Sequence, residues 1–281
     1  MTTTVLVPAS LAREAEDKRE ATRKLGYVAR AAAVFRVDRL VVFPDPDGVR
    51  QWGAGFVETV LRYAATPPYL RKEAWDRRGE LEYAGVLPPL RVAEQTGSGS
   101  DESGSLRHGI VTEVGSDGRV RVNCGLQHPV SLVVPPELEV GEGERVAVRV
   151  SSRRPVRARL VDEPLPGFSV ERATIESTLS RSDAAFTVAA SRYGEELSVD
   201  RLGRLVRRRR DDGGLTVAFG APERGLPDIL DVDPDGVHEE RDTAADPAFD
   251  LWLNTVPHQG SKVVRTEEAM FATLAPLALT E

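Results

Sequence analysis

The segment from Phe249 to Ala269 constrains the fold most tightly. Leu251-Trp-Leu253 is an apolar run that reads as a buried strand, and it breaks into a loop carrying Asn254, Pro257 and Gly260. A helix restarts near Thr266, whose hydroxyl can cap the first turn, with Glu267 and Glu268 on the favourable side of the helix dipole. Two more stretches have this form. Leu215-Thr-Val-Ala-Phe219 runs into a loop with Gly220, Pro222 and Gly225, and Phe186-Thr-Val-Ala-Ala190 runs into Ser191-Arg-Tyr-Gly194. A strand feeding a polar, glycine-containing loop is the usual place for a ligand in an α/β sheet, and three such loops can line one pocket. The same pattern also describes plain surface crossovers, because fold alone does not fix function.

A chain of 281 residues suffices for one large domain or two smaller ones with a sizeable core. No apolar run approaches the length of a bilayer span, and the N-terminus passes from Val5-Leu-Val7 into a charged segment without the pattern of a signal peptide. The single Cys124 cannot form an internal disulfide, so a reducing cytoplasm is expected, and four scattered histidines argue against structural zinc. A net charge of −7 argues against nucleic acid at first sight, but local distribution decides. Acidic residues gather from Glu137 to Glu144 and from Asp228 to Asp246. Basic ones gather at Arg71-Lys72, Arg77-Arg78, Arg153-Arg154 with Arg157 and Arg159, and Arg207 to Arg210. We read the acidic excess as adaptation to a salty cytoplasm laid over local basic patches.

Taken in order, Thr4 to Val7 reads as a strand and Leu11 to Phe35 as a helix. Its apolar stripe is Ala21, Leu25, Val28, Ala32 and Phe35, with Arg23, Lys24 and Arg30 off the stripe; Arg23 reads as part of a solvated face, and Lys24 and Arg30 as either that or phosphate contacts. Leu40 to Phe43 is a strand, and Phe56 to Ala64 an amphipathic helix stopped by Pro67-Pro68. Tyr69 and Trp75 sit among basic residues, as base-stacking groups or as core anchors. The run Thr96 to Ser105 is small and polar, a linker. Five short strands follow between His108 and Val161, the pattern of a small β-barrel of the OB type. Arg107, Arg119, Arg121, Arg149, Arg153 and Arg157 are candidates for a nucleic-acid face on it; a barrel used only for packing is the alternative. Beyond it, Val170 to Leu179 reads as a helix, Ala184 to Ala190 as a strand, and Leu197 to Arg210 as a helix with a basic end.

Phe219-Gly-Ala-Pro-Glu-Arg-Gly-Leu226 followed by Asn254-Thr-Val-Pro-His-Gln-Gly-Ser261 resembles the SPOUT class of RNA methyltransferases, the α/β-knot fold. Lys24 to Asp38, Pro67 to Lys72 and Tyr83 to Leu90 are similar to the archaeal and eukaryotic subfamily with an OB-like insertion, and the resemblance spans nearly the whole chain. It implies an α/β architecture with a trefoil-knotted domain formed by residues 1–95 and 164–281, a barrel at 106–163 and a linker at 96–105. It implies S-adenosyl-L-methionine as cofactor, with contacts at Arg192, Gly220, Asn254 and Thr255 and with Gly225 and Gly260 shaping the loops. It implies N3 of a uridine in large-subunit ribosomal RNA as target, RNA or phosphate contact at Lys24, Arg30 as a catalytic candidate, and a homodimer. Compared with other groups of the class, this chain has Pro222-Glu-Arg224 in the second loop and lacks their serine-rich third motif. The alternative function is a non-catalytic RNA-binding or ribosome-assembly protein keeping both folds.

Overall fold

Val5-Leu-Val7 and Leu215-Thr-Val-Ala218 show no in–out alternation, the pattern of strands covered on both faces. In the computed structural model these runs pair side by side within a parallel sheet. The structure describes residues 1–48, 51–53, 55–90, 92, 95–96, 104–234 and 249–279. In chain order the elements are β1 (Thr2–Pro8), α1 (Lys18–Val34), β2 (Arg39–Phe43), α2 (Phe56–Ala65), α3 (Arg71–Ala74), β3 (Gln95–Thr96), β4 (Ser105–Val114), β5 (Arg119–Asn123), β6 (Val130–Val133), β7 (Arg145–Arg153), β8 (Val156–Val161), β9 (Ser169–Arg172), α4 (Ile175–Leu179), β10 (Phe186–Glu196), α5 (Val199–Asp211), β11 (Gly214–Ala218), α6 (Leu226–Leu230), β12 (Leu251–Asn254) and α7 (Thr266–Leu277). They divide into two compact units. One is Met1–Ala64, Gly79–Leu90 and Phe168–Glu281, and the other is Ala65–Arg78 and Arg91–Gly167.

The first unit is α/β. Its sheet has the order β12-β10-β11-β1-β2-β9, with every pairing parallel. From β1 the chain builds outward through β2 to β9, then returns to build β10, β11 and β12 on the other side. Leu6, Val41, Phe43, Ala189 and Ala218 from the strands pack with Ile175, Leu226 and Phe249 in one buried cluster.

Helix α1 begins later than its apolar periodicity predicts. Asp17 holds extended backbone and its carboxylate accepts a hydrogen bond from Glu20 N at 2.6 Å, a cap that stabilises a helix start by about 1 kcal/mol. Residues 9–14 instead form turns, and they fold Glu14 over α1. Lys24 is thereby buried rather than solvated. Its side chain is 5% exposed and its ammonium lies 2.6 Å from Glu14 and 3.3 Å from Glu20. The segment Val170 to Leu179 is also not one helix: Ser169 to Arg172 pairs with β2 as an edge strand, and α4 starts only after Thr174, whose hydroxyl accepts from Ser177 N. The basic end of α5 is put to internal use. Arg208 stacks over the Phe186 ring at 4.4 Å, and Arg209 donates to Thr3 Oγ1 and to the Leu277 carbonyl.

The second unit is an antiparallel sheet of order β6-β5-β4-β7-β8, with β3 paired to β4. The end strands β6 and β8 approach each other, so the sheet is a nearly closed barrel. Val111, Val120, Val122, Leu132, Val148 and Leu160 fill it, and Cys124 is buried among them. Residues 65–78, grouped by sequence with the α/β part, belong here because their aromatics anchor them. Tyr69 donates to the His108 carbonyl and lies against Gly125, while Trp75 Nε1 donates to Thr66 Oγ1 at 3.0 Å. Most of the expected linker, residues 97–103, and most of the acidic stretch, 235–246, lie outside the described residues; that stretch begins inside α6.

Two outcomes test the charged cluster on α1 and α7. Lys24→Ala strips the cation from two partly buried carboxylates, so it lowers unfolding free energy by about 2–3 kcal/mol, read as a lower urea midpoint at unchanged slope. Burial, with Glu14 and Glu268 nearby, pushes the Glu267 carboxyl above the usual carboxylate range. The folded chain therefore binds this proton more tightly than the unfolded one, and stability falls as pH rises from the ordinary value of 4.5 through the raised one. Glu267→Gln is expected to raise the melting temperature at pH 7, with the gain vanishing below pH 4.5.

Candidate active site

Strand β10 carries an irregularity that creates the site. Both Ala190 and Glu195 pair with Leu253 of β12, so Ser191 to Gly194 have no ladder partner and bulge outward. At Gly194 a Cβ would stand 2.5 Å from the Trp252 and Leu253 backbone, so only glycine lets β12 pass. The sequence reading ended this strand at Ala190; the strand instead resumes beyond the bulge.

The loop after β11 is equally fixed. Ala221 and Arg224 exchange backbone hydrogen bonds at 2.9 and 3.1 Å, with Pro222 and Glu223 at the corners of a tight turn. Glu223 has φ 60°, in the left-handed region; Pro at the first corner and positive φ at the second is the type II pattern. A Cβ on Gly220 would lie 2.8 Å from Leu226 N and 2.9 Å from the Gly225 backbone, so no side chain fits there.

The loop after β12 is braced to the other two. Asn254 Nδ2 donates to the Arg192 carbonyl at 3.1 Å, and its Oδ1 accepts from Val256 N at 3.0 Å. Thr255 and Thr273 share a hydroxyl hydrogen bond at 2.8 Å. Thr266 is not the cap of α7. The cap is Arg265, whose backbone N–H donates to Glu268, while the Thr266 hydroxyl donates to the Gly220 carbonyl at 2.8 Å. That bond ties the start of α7 to the β11 loop.

Between these loops lies a cavity of about 460 Å³, in the size range of small-ligand sites. Arg192, Gly220, Gly225, Asn254 and Thr255 are all on its wall. Gly260 is in the third loop but not on the wall. Phe219, Leu253, Val256 and Val264 give the cavity apolar surface. Its charged groups are Arg192, Arg224 and Lys262, with Glu223 and Asp228 of opposite sign. Sequence reasoning missed Arg224 and its buried partner Asp45, whose carboxylate oxygens are both 3.2 Å from Arg224 Nε. The only sequence signal was an arginine between two glycines of one loop.

Arg30 lies on α1, off the cavity wall, and donates to the Leu90 carbonyl at 2.8 Å. Lys24 is committed to its two carboxylates. On the barrel unit, Arg149 is buried and forked onto Glu163, so it presents no open face. Arg107 donates to the Cys124 carbonyl, Arg119 to Ser131, and Arg121 pairs with Glu113. Arg153 and Arg157 are exposed where β7 turns into β8, beside Arg154 and Arg159.

The family described as "Putative RNA methyltransferase" matches residues 2–277. An uncharacterised protein of Haloarcula marismortui is 70% identical over 281 residues, covering all of both chains. One of Halobacterium salinarum is 71% identical over 284 residues, again covering all of both. The human protein named 28S rRNA (uridine-N(3))-methyltransferase is 29% identical over 314 residues, spanning 98% of this chain and 77% of its own. With the family's pattern running almost from end to end, the chain belongs to this RNA methyltransferase family.

Proposed function

We propose that the chain transfers a methyl group from S-adenosyl-L-methionine to N3 of a uridine in large-subunit ribosomal RNA. The observation that carries this reading is the cavity lined by the β10 bulge and the loops after β11 and β12, in a chain similar over 98% of its length to a named 28S rRNA uridine-N3 methyltransferase. The residues suit the cofactor. Phe219, Leu253 and Val264 offer apolar walls to a nucleoside, tight loops bring backbone groups to the surface, and paired charges match a zwitterionic amino-acid end. When bound, the cofactor supplies an activated methyl group on a sulfonium.

The protein's part is placement more than acid–base chemistry. Gly220 lets the β11 loop close on α6, and Asn254 holds the β12 loop against the β10 bulge. The uridine imide proton must leave, so a base or a cation stabilising the imidate is needed. Arg30 stands off its own cavity wall and fits that task only across a dimer, acting on a partner's cavity. The partly exposed Tyr27, Val34 and Phe271 on α1 and α7 support such a homodimer. The nearly closed five-strand barrel supports the OB reading. Arg153 and Arg157, exposed where β7 turns into β8, are the barrel residues this reading turns toward RNA, in a soluble cytoplasmic enzyme.

Calorimetry with S-adenosyl-L-methionine in high salt tests the reading. The wild type binds; Asn254→Ala, losing two loop-bracing hydrogen bonds, binds about tenfold weaker or worse; Gly220→Ala, forced against backbone, shows no binding. A well-folded wild type that binds ribosomal RNA but not the cofactor would establish the non-catalytic RNA-binding reading instead. Light scattering at micromolar concentration should give a dimer; a monomer would remove the composite-site role of Arg30.

A further inference from the structure

Arg224 is the most constrained charge on the cavity wall. Its Nε faces both oxygens of Asp45 at 3.2 Å, and Asp45 is fully buried. Ser10 Oγ donates to the same carboxylate. Asp45 itself sits in the turn after β2, closed by a Gly48 N–H to the Asp45 carbonyl at 3.2 Å. The Arg224 backbone is fixed independently by the turn with Ala221. A guanidinium clamped at Nε is held in one plane, and its two terminal nitrogens keep the parallel donor geometry that matches a carboxylate. One of these is 3.8 Å from Asp47, a mostly exposed side chain and a weak competitor.

The other cations on the wall are less suited. Arg192 is exposed and turned onto its neighbour, stacking on the Tyr193 ring at 4.8 Å and donating to its hydroxyl at 2.8 Å. Lys262 is an exposed ammonium on the third loop, a point charge without a fork. Glu223 and Asp228 lie on the same loop and helix start as Arg224, so positive and negative groups stand side by side on one part of the wall. That arrangement complements a zwitterion.

We propose that Arg224 is the carboxylate receptor of the cavity: its terminal nitrogens take the carboxylate of the cofactor's amino-acid end, and Asp45 is the positioning residue that orients them. This rests on the methyltransferase reading. It assigns a function to a buried acid that touches nothing in the cavity and to the arginine of the Pro222-Glu-Arg224 turn. Asp45 acts through Arg224, so its loss should mimic that of the fork.

The test is binding, not turnover. Calorimetry compares S-adenosyl-L-methionine with its decarboxylated form, which keeps the adenosine, sulfonium and ammonium and lacks only the carboxylate. The wild type should prefer the intact cofactor at least about tenfold, as expected for one charge-assisted paired contact. Arg224→Lys keeps a cation beside Asp45, so the fold is retained, and it should bring the two affinities within about twofold by weakening only the intact form. Asp45→Asn should narrow the gap in the same direction. Equal affinity of the two ligands for the wild type, or an undiminished preference in folded Arg224→Lys, would overturn the proposal. Equal weakening of both ligands in Arg224→Lys would also overturn it, marking a loop effect. No binding of either ligand by folded wild type would defeat the methyltransferase reading itself.

Discussion

The site depends on one backbone event, the bulge of Ser191 to Gly194 where β12 crosses β10. A regular parallel pair would bring Arg192 and Tyr193 into the ladder and leave no space beside Leu253. The bulge survives because its two ends are held, one by the Ala190 pairing and the other by the Glu195 pairing, and because Gly194 admits the β12 backbone. Asn254 then closes the gap with one amide, donating to the bulge and accepting from its own loop. Thr266 carries the linkage to the β11 loop and the first turn of α7. The cavity wall is thus a set of cross-braced loops in which each loop's shape depends on another, an arrangement suited to holding a ligand in a fixed pose.

What the sequence made legible was whatever local composition decides. Apolar runs ending in Gly and Pro marked β10, β11 and β12, and short alternating runs with Gly turns marked β4 to β8, because these signals lie within a few residues of the element they specify. What it hid was set by distant partners. Val170 suits a helix or an edge strand equally, and pairing with β2 decides for the strand. Lys24 lies off the apolar stripe of α1, yet the turns ahead of the helix fold Glu14 over it and bury the pair. Arg224 and Asp45 are 179 residues apart, and no spacing rule links them. Asn254 was singled out by resemblance, and in the structure it stands on the cavity wall with its side-chain amide bonded to the Arg192 carbonyl and to Val256 N–H.

Charge is organised by the same logic. A chain with net charge −7 and 37 lysines and arginines could scatter its cations over the surface. Many are instead bound to internal acceptors: Arg209 to Thr3 and Leu277, Arg149 to Glu163, Arg39 to Asp183, Lys24 to Glu14. Exposed pairs such as Arg121–Glu113 add little to stability, whereas a cation shielded from water cannot lose its partner cheaply. Counting arginines therefore overstates any nucleic-acid face. On the barrel unit Arg153, Arg154, Arg157 and Arg159 are all exposed around the β7–β8 turn.

The same contrast separates the two arginines considered for chemistry. Arg30 is held by backbone carbonyls, neutral acceptors that fix its position without offsetting its charge. Arg224 is held by a buried carboxylate that fixes its plane and offsets its charge. A neutralised, pre-oriented cation costs little to maintain in the folded state and loses little conformational freedom when a second anion arrives, which favours selective binding over general attraction. On the proposed reading the cofactor already carries the reactive group, and such orientation then serves the remaining task of keeping a methyl group and its acceptor in line. The buried Asp45 is then best understood through what Arg224 must keep still.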